Sequence, residues 1–156
     1  MSESARILII DDEESIREAI SMTLDHAGYL VDSAENGKQA IEKAGANFYN
    51  LALIDIRLPD IEGTELLTAL RETTPRMVKI ILTGYPALQN AVNAINKGVD
   101  AYIIKPVNSD ELLRIIKECL DKQKREKEYG QQKLAQFVET RFKELETEEL
   151  STTKKH

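Results

Sequence analysis

Cysteine is nearly absent: Cys119 is the only one in 156 residues, so no intrachain disulfide can form and no cysteine metal cluster is plausible. No stretch approaches the roughly 20 apolar residues that a membrane-spanning helix needs. Residues 1–6 lead straight into a short apolar run without the pattern of a signal peptide. Histidine is limited to His26 and His156, neither with a metal-site companion. Positive charge is also in deficit, with 21 Lys+Arg against 27 Asp+Glu and a net charge of −6, which argues against nucleic-acid binding by bulk electrostatics. The deficit is local. The first 120 residues carry 12 basic and 19 acidic side chains, the last 36 nine and eight. Together these absences lead us to expect a cytoplasmic protein that touches neither membrane nor nucleic acid directly.

What the chain does have is alternation. Hydrophobic residues make up 42% and charged residues 31%, the profile of a soluble globular domain long enough for one proper core. Short apolar runs at 6–10, 51–54, 77–82 and 101–104 suit strands buried in a parallel sheet, and 29–34, broken by Asp32 and Ser33, suits an edge strand. Between and after them the spacing becomes helical: 15–27 stopped by Gly28, 36–45, 63–73, 86–97 stopped by Gly98, and a helix capped by Ser109 or Asp110. Five strands alternating with five helices predict an α/β fold, a doubly wound five-stranded parallel sheet of the flavodoxin-like order 2-1-3-4-5. One domain is expected over 1–120, a helical extension or linker over 121–150 with Gly130 as its break or bend, and a disordered tail over 151–156.

The polar residues then fall into place. Asp11 and Asp12 follow strand 1, Asp55 strand 3, Thr83 strand 4 and Lys105 strand 5, all on the carboxyl edge where open α/β sheets bind ligands. Singly, each has an ordinary explanation as a cap, turn or strand-end residue. Jointly, three carboxylates with no arginine among them repel one another unless a cation intervenes, and Mg2+ suits one or two carboxylates plus a phosphate oxygen. Lys105 and Thr83 offer an ammonium and a hydroxyl to phosphoryl oxygens, and a carboxylate left free can attack phosphorus.

Residues 5–120 resemble the receiver domain of bacterial or archaeal two-component response regulators. The resemblance rests on Asp11-Asp12, Asp55 before Leu58-Pro59-Asp60-Ile61-Glu62-Gly63, Leu82-Thr83-Gly84-Tyr85, and Gly98-Val99-Asp100-Ala101-Tyr102-Ile103-Ile104-Lys105-Pro106. It implies that Asp55 accepts phosphate from a sensor histidine kinase. Mg2+ would be held by Asp12, Asp55 and the Arg57 backbone carbonyl, with Asp11 acting through water. Lys105 would bond the phosphoryl group beside a cis peptide at Lys105-Pro106. Thr83 and Tyr102 would form a switch pair acting on the surface of the fourth helix, fifth strand and fifth helix. Arg57 and Tyr85 are expected to slow self-dephosphorylation by shielding.

Three other readings compete. An Asp-nucleophile phosphatase needs a second acid two residues on, where Arg57 stands; a flavin or nucleotide binder would find Asp-Asp-Glu-Glu repulsive; and a scaffold that never phosphorylates leaves Asp55, Thr83 and Lys105 without purpose. The segment 131–150 carries an apolar stripe of Leu134, Phe137, Val138, Phe142 and Leu145 that must be covered. It could pair in a homodimer through the fifth and C-terminal helices, dock on its own receiver, or bind another protein. The Thr-Gly-Tyr segment and long final helix also resemble receivers of enhancer-binding transcription activators, so the chain is read as a fragment or a stand-alone regulator.

Overall fold

The computed structural model describes residues 4–73, 75–84 and 98–154. The helix expected over 86–97, and Tyr85, lie outside the described residues. Among those residues five strands and four helices follow in the order β1 (Arg6–Ile10), α1 (Glu14–His26), β2 (Leu30–Ala34), α2 (Gly37–Ala46), β3 (Leu51–Asp55), α3 (Gly63–Ala69), β4 (Val78–Thr83), β5 (Ala101–Ile104) and the C-terminal helix α4 (Ser109–Lys154). The strands form one sheet in the order β2-β1-β3-β4-β5, every neighbouring pair parallel. The doubly wound sheet expected from the sequence is the fold.

Period-2 alternation in the strands builds a core on each face of this sheet. Leu8 and Ile10 of β1, Ala52 and Ile54 of β3 and Ile81 of β4 turn to one side, where they meet Ala40 and Ala44 of α2 and Leu66 and Leu67 of α3. Ile7 and Ile9, Leu51 and Leu53, and Ile80 and Leu82 turn to the other, against Ile20 and Leu24 of α1 and Leu112 and Ile116 of α4. Central β3 is therefore buried at all five positions, whereas edge strand β2 leaves Leu30 exposed.

Several boundaries differ from the sequence expectation for local reasons. Helix α3 stops at Ala69 rather than near 73, because Leu70 turns to an extended conformation (ψ 139°) while its side chain stays buried. Neither Ser109 nor Asp110 caps α4. Asn108 does, its side-chain oxygen accepting the N–H groups of Asp110 at 2.8 Å and Glu111 at 3.3 Å. The break expected at Gly130 is absent, as α4 is helical from Ser109 to Lys154, and Ser151–Lys154, expected to be disordered, belong to it. A glycine costs about 1 kcal/mol within a helix, less than ending one helix and nucleating another. By compactness the chain divides into Met1–Asp121, which holds the sheet, and Lys122–His156.

Two glycines predict stability changes of opposite sign. A Cβ on Gly63 would lie 2.5 Å from the Asp55 carbonyl oxygen and 2.8 Å from Ile56 Cα, so Gly63→Ala should destabilise by roughly 2 kcal/mol in urea unfolding. A Cβ on Gly130 meets nothing within 4 Å. Gly130→Ala should therefore stabilise α4 by about 1 kcal/mol, read as raised helicity at elevated temperature by circular dichroism.

Candidate functional site

The strand ends meet as the parallel register requires. Ile10 of β1 pairs with Ile54 of β3, so Asp11 and Asp55, each one step further, emerge side by side. Asp55 belongs to β3 itself and pairs with Leu82, while Thr83, the last residue of β4, pairs with Ile104 directly before Lys105. One carboxylate oxygen each from Asp11, Asp12 and Asp55 lies within 4.8 Å of the other two. Asp11 is 1% exposed and Asp55 8%, whereas Asp12 reaches solvent.

Lys105 closes the group. Its Nζ donates to Asp11 Oδ2 at 2.9 Å and stands 3.9 Å from Asp55 Oδ2. The Lys105-Pro106 peptide is cis. The backbone N–H of Lys105 donates to the Thr83 carbonyl at 2.7 Å, tying the two strand ends together. Asp55 Oδ1 accepts the Arg57 N–H at 3.3 Å. One ammonium does not balance three carboxylates: burial first, then the negative charge of Asp11, pushes the Asp55 carboxyl up to about 6 against the opposing pull of Lys105. A cluster of hard oxygen donors with surplus negative charge fits a divalent cation.

Sequence reasoning missed what holds these groups in place. Arg17, on the first turns of α1, donates from Nη1 to the Asp11 carbonyl at 2.7 Å, and the Glu13 N–H donates to Asp11 Oδ1 at 2.9 Å. The Glu13 contact is a local Asx turn of the kind Asp makes before a helix, whereas the six-residue spacing of the Arg17 contact leaves no pattern. Asp60, quoted within the loop motif, has a structural task too: its two oxygens accept the Gly37 and Lys38 N–H groups at the start of α2, at 2.8 and 2.9 Å. Those bonds hold its carboxyl below the usual carboxylate range. Gly63 donates its N–H to the Ile56 carbonyl at 2.8 Å, closing the loop back on the end of β3.

Tyr102 lies on the sheet face of the first core cluster and packs against it. Its hydroxyl is buried without a hydrogen-bond partner, the one such side-chain atom among the described residues, and burial raises its pKa. An unpaired buried hydroxyl costs about 1–3 kcal/mol.

Residues 7–117 match the Response regulator receiver domain family. Among curated proteins, the chain is 38% identical over 120 residues to Response regulator ArlR of Staphylococcus saprophyticus, covering 76% of this chain and 53% of that protein. It is 34% identical over 123 residues to Regulatory protein AtoC of Escherichia coli, covering 79% and 27%. The chain thus spans about half the length of the first and about a quarter of the second. Among solved structures it is similar to a CheY-like response regulator receiver domain protein of Methanospirillum hungatei, with a TM-score of 0.74, 46% identity, and coverage of 80% of this chain and 99% of that one.

Two expectations follow from the electrostatics. Because the folded-state pKa of Asp55 is raised, its contribution to stability is complete below the unfolded value of 3.8 and is lost as pH rises through about 6. In metal-free buffer Asp55→Asn should therefore be more stable than the parent by about 2 kcal/mol near pH 7, and the gap should close near pH 4. Tyr102→Phe removes the unpaired hydroxyl and should raise stability by about 1 kcal/mol, measured by the same urea unfolding.

Proposed function

This chain belongs to the response regulator receiver domain family of two-component systems, and on that premise we propose that it is a phosphorylation-gated switch. Asp55 takes a phosphoryl group from the phosphohistidine of a sensor histidine kinase. The observation that carries this reading is the convergence of Asp11, Asp12 and Asp55 within 4.8 Å, with the Lys105 ammonium 2.9 Å from Asp11 and 3.9 Å from Asp55.

An Asp55 carboxylate oxygen attacks phosphorus, the P–O bond forms as the P–N bond to the donor imidazole breaks, and the electron pair leaves with that nitrogen. A carboxyl with a pKa of about 6 is mostly ionised at neutral pH and so available as the nucleophile. Lys105 neutralises charge on the phosphoryl oxygens, and the Thr83 hydroxyl bonds one of them. Asp12, Asp55 and the Arg57 carbonyl would hold Mg2+, with Asp11 acting through a bound water. When bound, the ion supplies positive charge against the carboxylates and the incoming phosphoryl oxygens.

The switch lies in Thr83 and Tyr102. Drawing the Thr83 hydroxyl toward a phosphoryl oxygen opens space that the Tyr102 ring fills, so one packing gains charge-assisted bonds that the other lacks. A partner for the Tyr102 hydroxyl, now buried without one, is a further bond that the switched packing could gain. The readout surface includes β5, an edge strand whose Ile104 is 53% exposed, and the adjoining start of α4. Residues 1–120 act as the receiver, and 121–150 as a helical extension that pairs with a second copy. Uptake and loss of phosphate are catalysed by the domain's own side chains, so this is a signalling module rather than an enzyme acting on a separate substrate. Arg57, exposed beside the site, would slow loss by shielding.

Incubation with a small phosphodonor and Mg2+ tests the reading. Intact mass should show one added phosphoryl group on the parent and none on Asp55→Asn, with uptake cut at least tenfold in Lys105→Ala or by EDTA. Equal uptake by the parent and Asp55→Asn would overturn it.

A further inference from the structure

Asp11 is held at every polar atom it has. Its backbone N–H donates to the Ala34 carbonyl at 3.1 Å, its Oδ1 accepts the Glu13 N–H at 2.9 Å, and its Oδ2 accepts Lys105 Nζ at 2.9 Å. The fourth atom, the carbonyl oxygen, accepts Arg17 Nη1 at 2.7 Å. Asp12 is different. It is exposed, and no donor among the described residues reaches its carboxylate. Its backbone therefore places it, suspended between two fixed points. One is the Glu13 N–H on Asp11 Oδ1. The other is the Asp11–Asp12 peptide, a rigid plane that includes the Asp11 carbonyl and the Asp12 N–H and Cα, so a bond that fixes the carbonyl fixes where Asp12 begins.

Arg17 is the fourth residue of α1, and its guanidinium reaches back past the helix start, where the helix dipole opposes a cation. No ion pair to a carboxylate among the described residues offsets that placement. Lys105, in contrast, stands against Asp11 and Asp55 and takes up part of their charge. Satisfying a buried carbonyl accounts for the hydrogen bond itself. Yet that carbonyl belongs to the peptide joining two members of the carboxylate cluster. We propose that Arg17 is a positioning residue for the cation. Through the Asp11–Asp12 peptide it sets where the Asp12 carboxylate stands, and so how tightly Mg2+ is held, without pairing with any of the three carboxylates. The proposal rests on the reading of Asp12 and Asp55 as ligands of Mg2+. Groups that orient ligating side chains typically contribute about 10–100-fold to metal affinity.

The test is calorimetric titration of the metal-free 156-residue chain with MgCl2, with no phosphodonor present. Arg17 is half-buried and belongs to neither core cluster, so its variants should fold. Arg17→Met keeps an unbranched stem but no donor, and its Mg2+ affinity should fall about tenfold. Arg17→Lys keeps a donor and should recover most of that loss. A purely structural role would lower the urea-unfolding midpoint of Arg17→Met and leave the Mg2+ affinity of the folded protein at the parent value. Phosphorylation by a small phosphodonor gives a second readout. In Arg17→Met the Mg2+ concentration for half the maximal rate should rise about tenfold, while the rate at saturating Mg2+ stays within about twofold of the parent. Affinity in Arg17→Met equal to the parent's, or above it as simple repulsion of the ion by the guanidinium would give, overturns the proposal. So does a loss that Arg17→Lys fails to relieve. A parent that does not bind Mg2+ overturns the reading of the site and this inference with it, whereas equal binding by parent and Arg17→Met overturns this inference alone.

Discussion

Mutual repulsion among Asp11, Asp12 and Asp55 is the constraint around which the rest of this receiver is built. Two of these carboxylates are nearly inaccessible to water, and the low local dielectric strengthens every interaction among them. Left unopposed, the cluster would protonate or splay apart. Lys105 opposes it from a different strand, and its stem is pinned because its own backbone N–H is bonded to Thr83. Compensation is partial, as the upward displacement of the Asp55 pKa records. A site left with surplus negative charge suits a divalent cation.

Parallel strands make such a gathering possible. Each contributes a residue at or just beyond its end, and side-by-side register brings to one edge groups up to 94 positions apart in the chain. The cost is that β1 and β3 have no polar face. Both serve the core above the sheet and the core below it, and β3, which delivers Asp55, is buried along its whole length. Rigidity of the scaffold and placement of the charges share one origin.

Most of the fold and the site's membership were legible because both follow from short-range alternation. An apolar run ended by a carboxylate or lysine marks a buried strand and its ligand-facing tip, and Asp11, Asp55, Thr83 and Lys105 all sit at such tips. Illegible features depend on geometry that neighbouring residues contest. Asn108, Ser109 and Asp110 are all competent caps, and only the backbone path selects Asn108. The early end of α3 follows from burial of Leu70, a tertiary demand with no signature in the helical period. Likewise Arg17 looks like one more charged residue on α1 until its guanidinium is seen on the Asp11 carbonyl. Gly130 shows the reverse error, a real local preference outweighed by the cooperativity of a long helix.

The Asp60 cap has a mechanical side. The loop that leaves Asp55 grips α2 by two hydrogen bonds, and Ile61 presses so close to Gly37 that a methyl there would sit 2.2 Å from its Cγ2. Loop and helix start are thus geared together. A shift of even one ångström beyond the end of β3 must either strip two donors from the helix or drag the helix with it. A displacement at the end of β3 would therefore be felt at the start of α2.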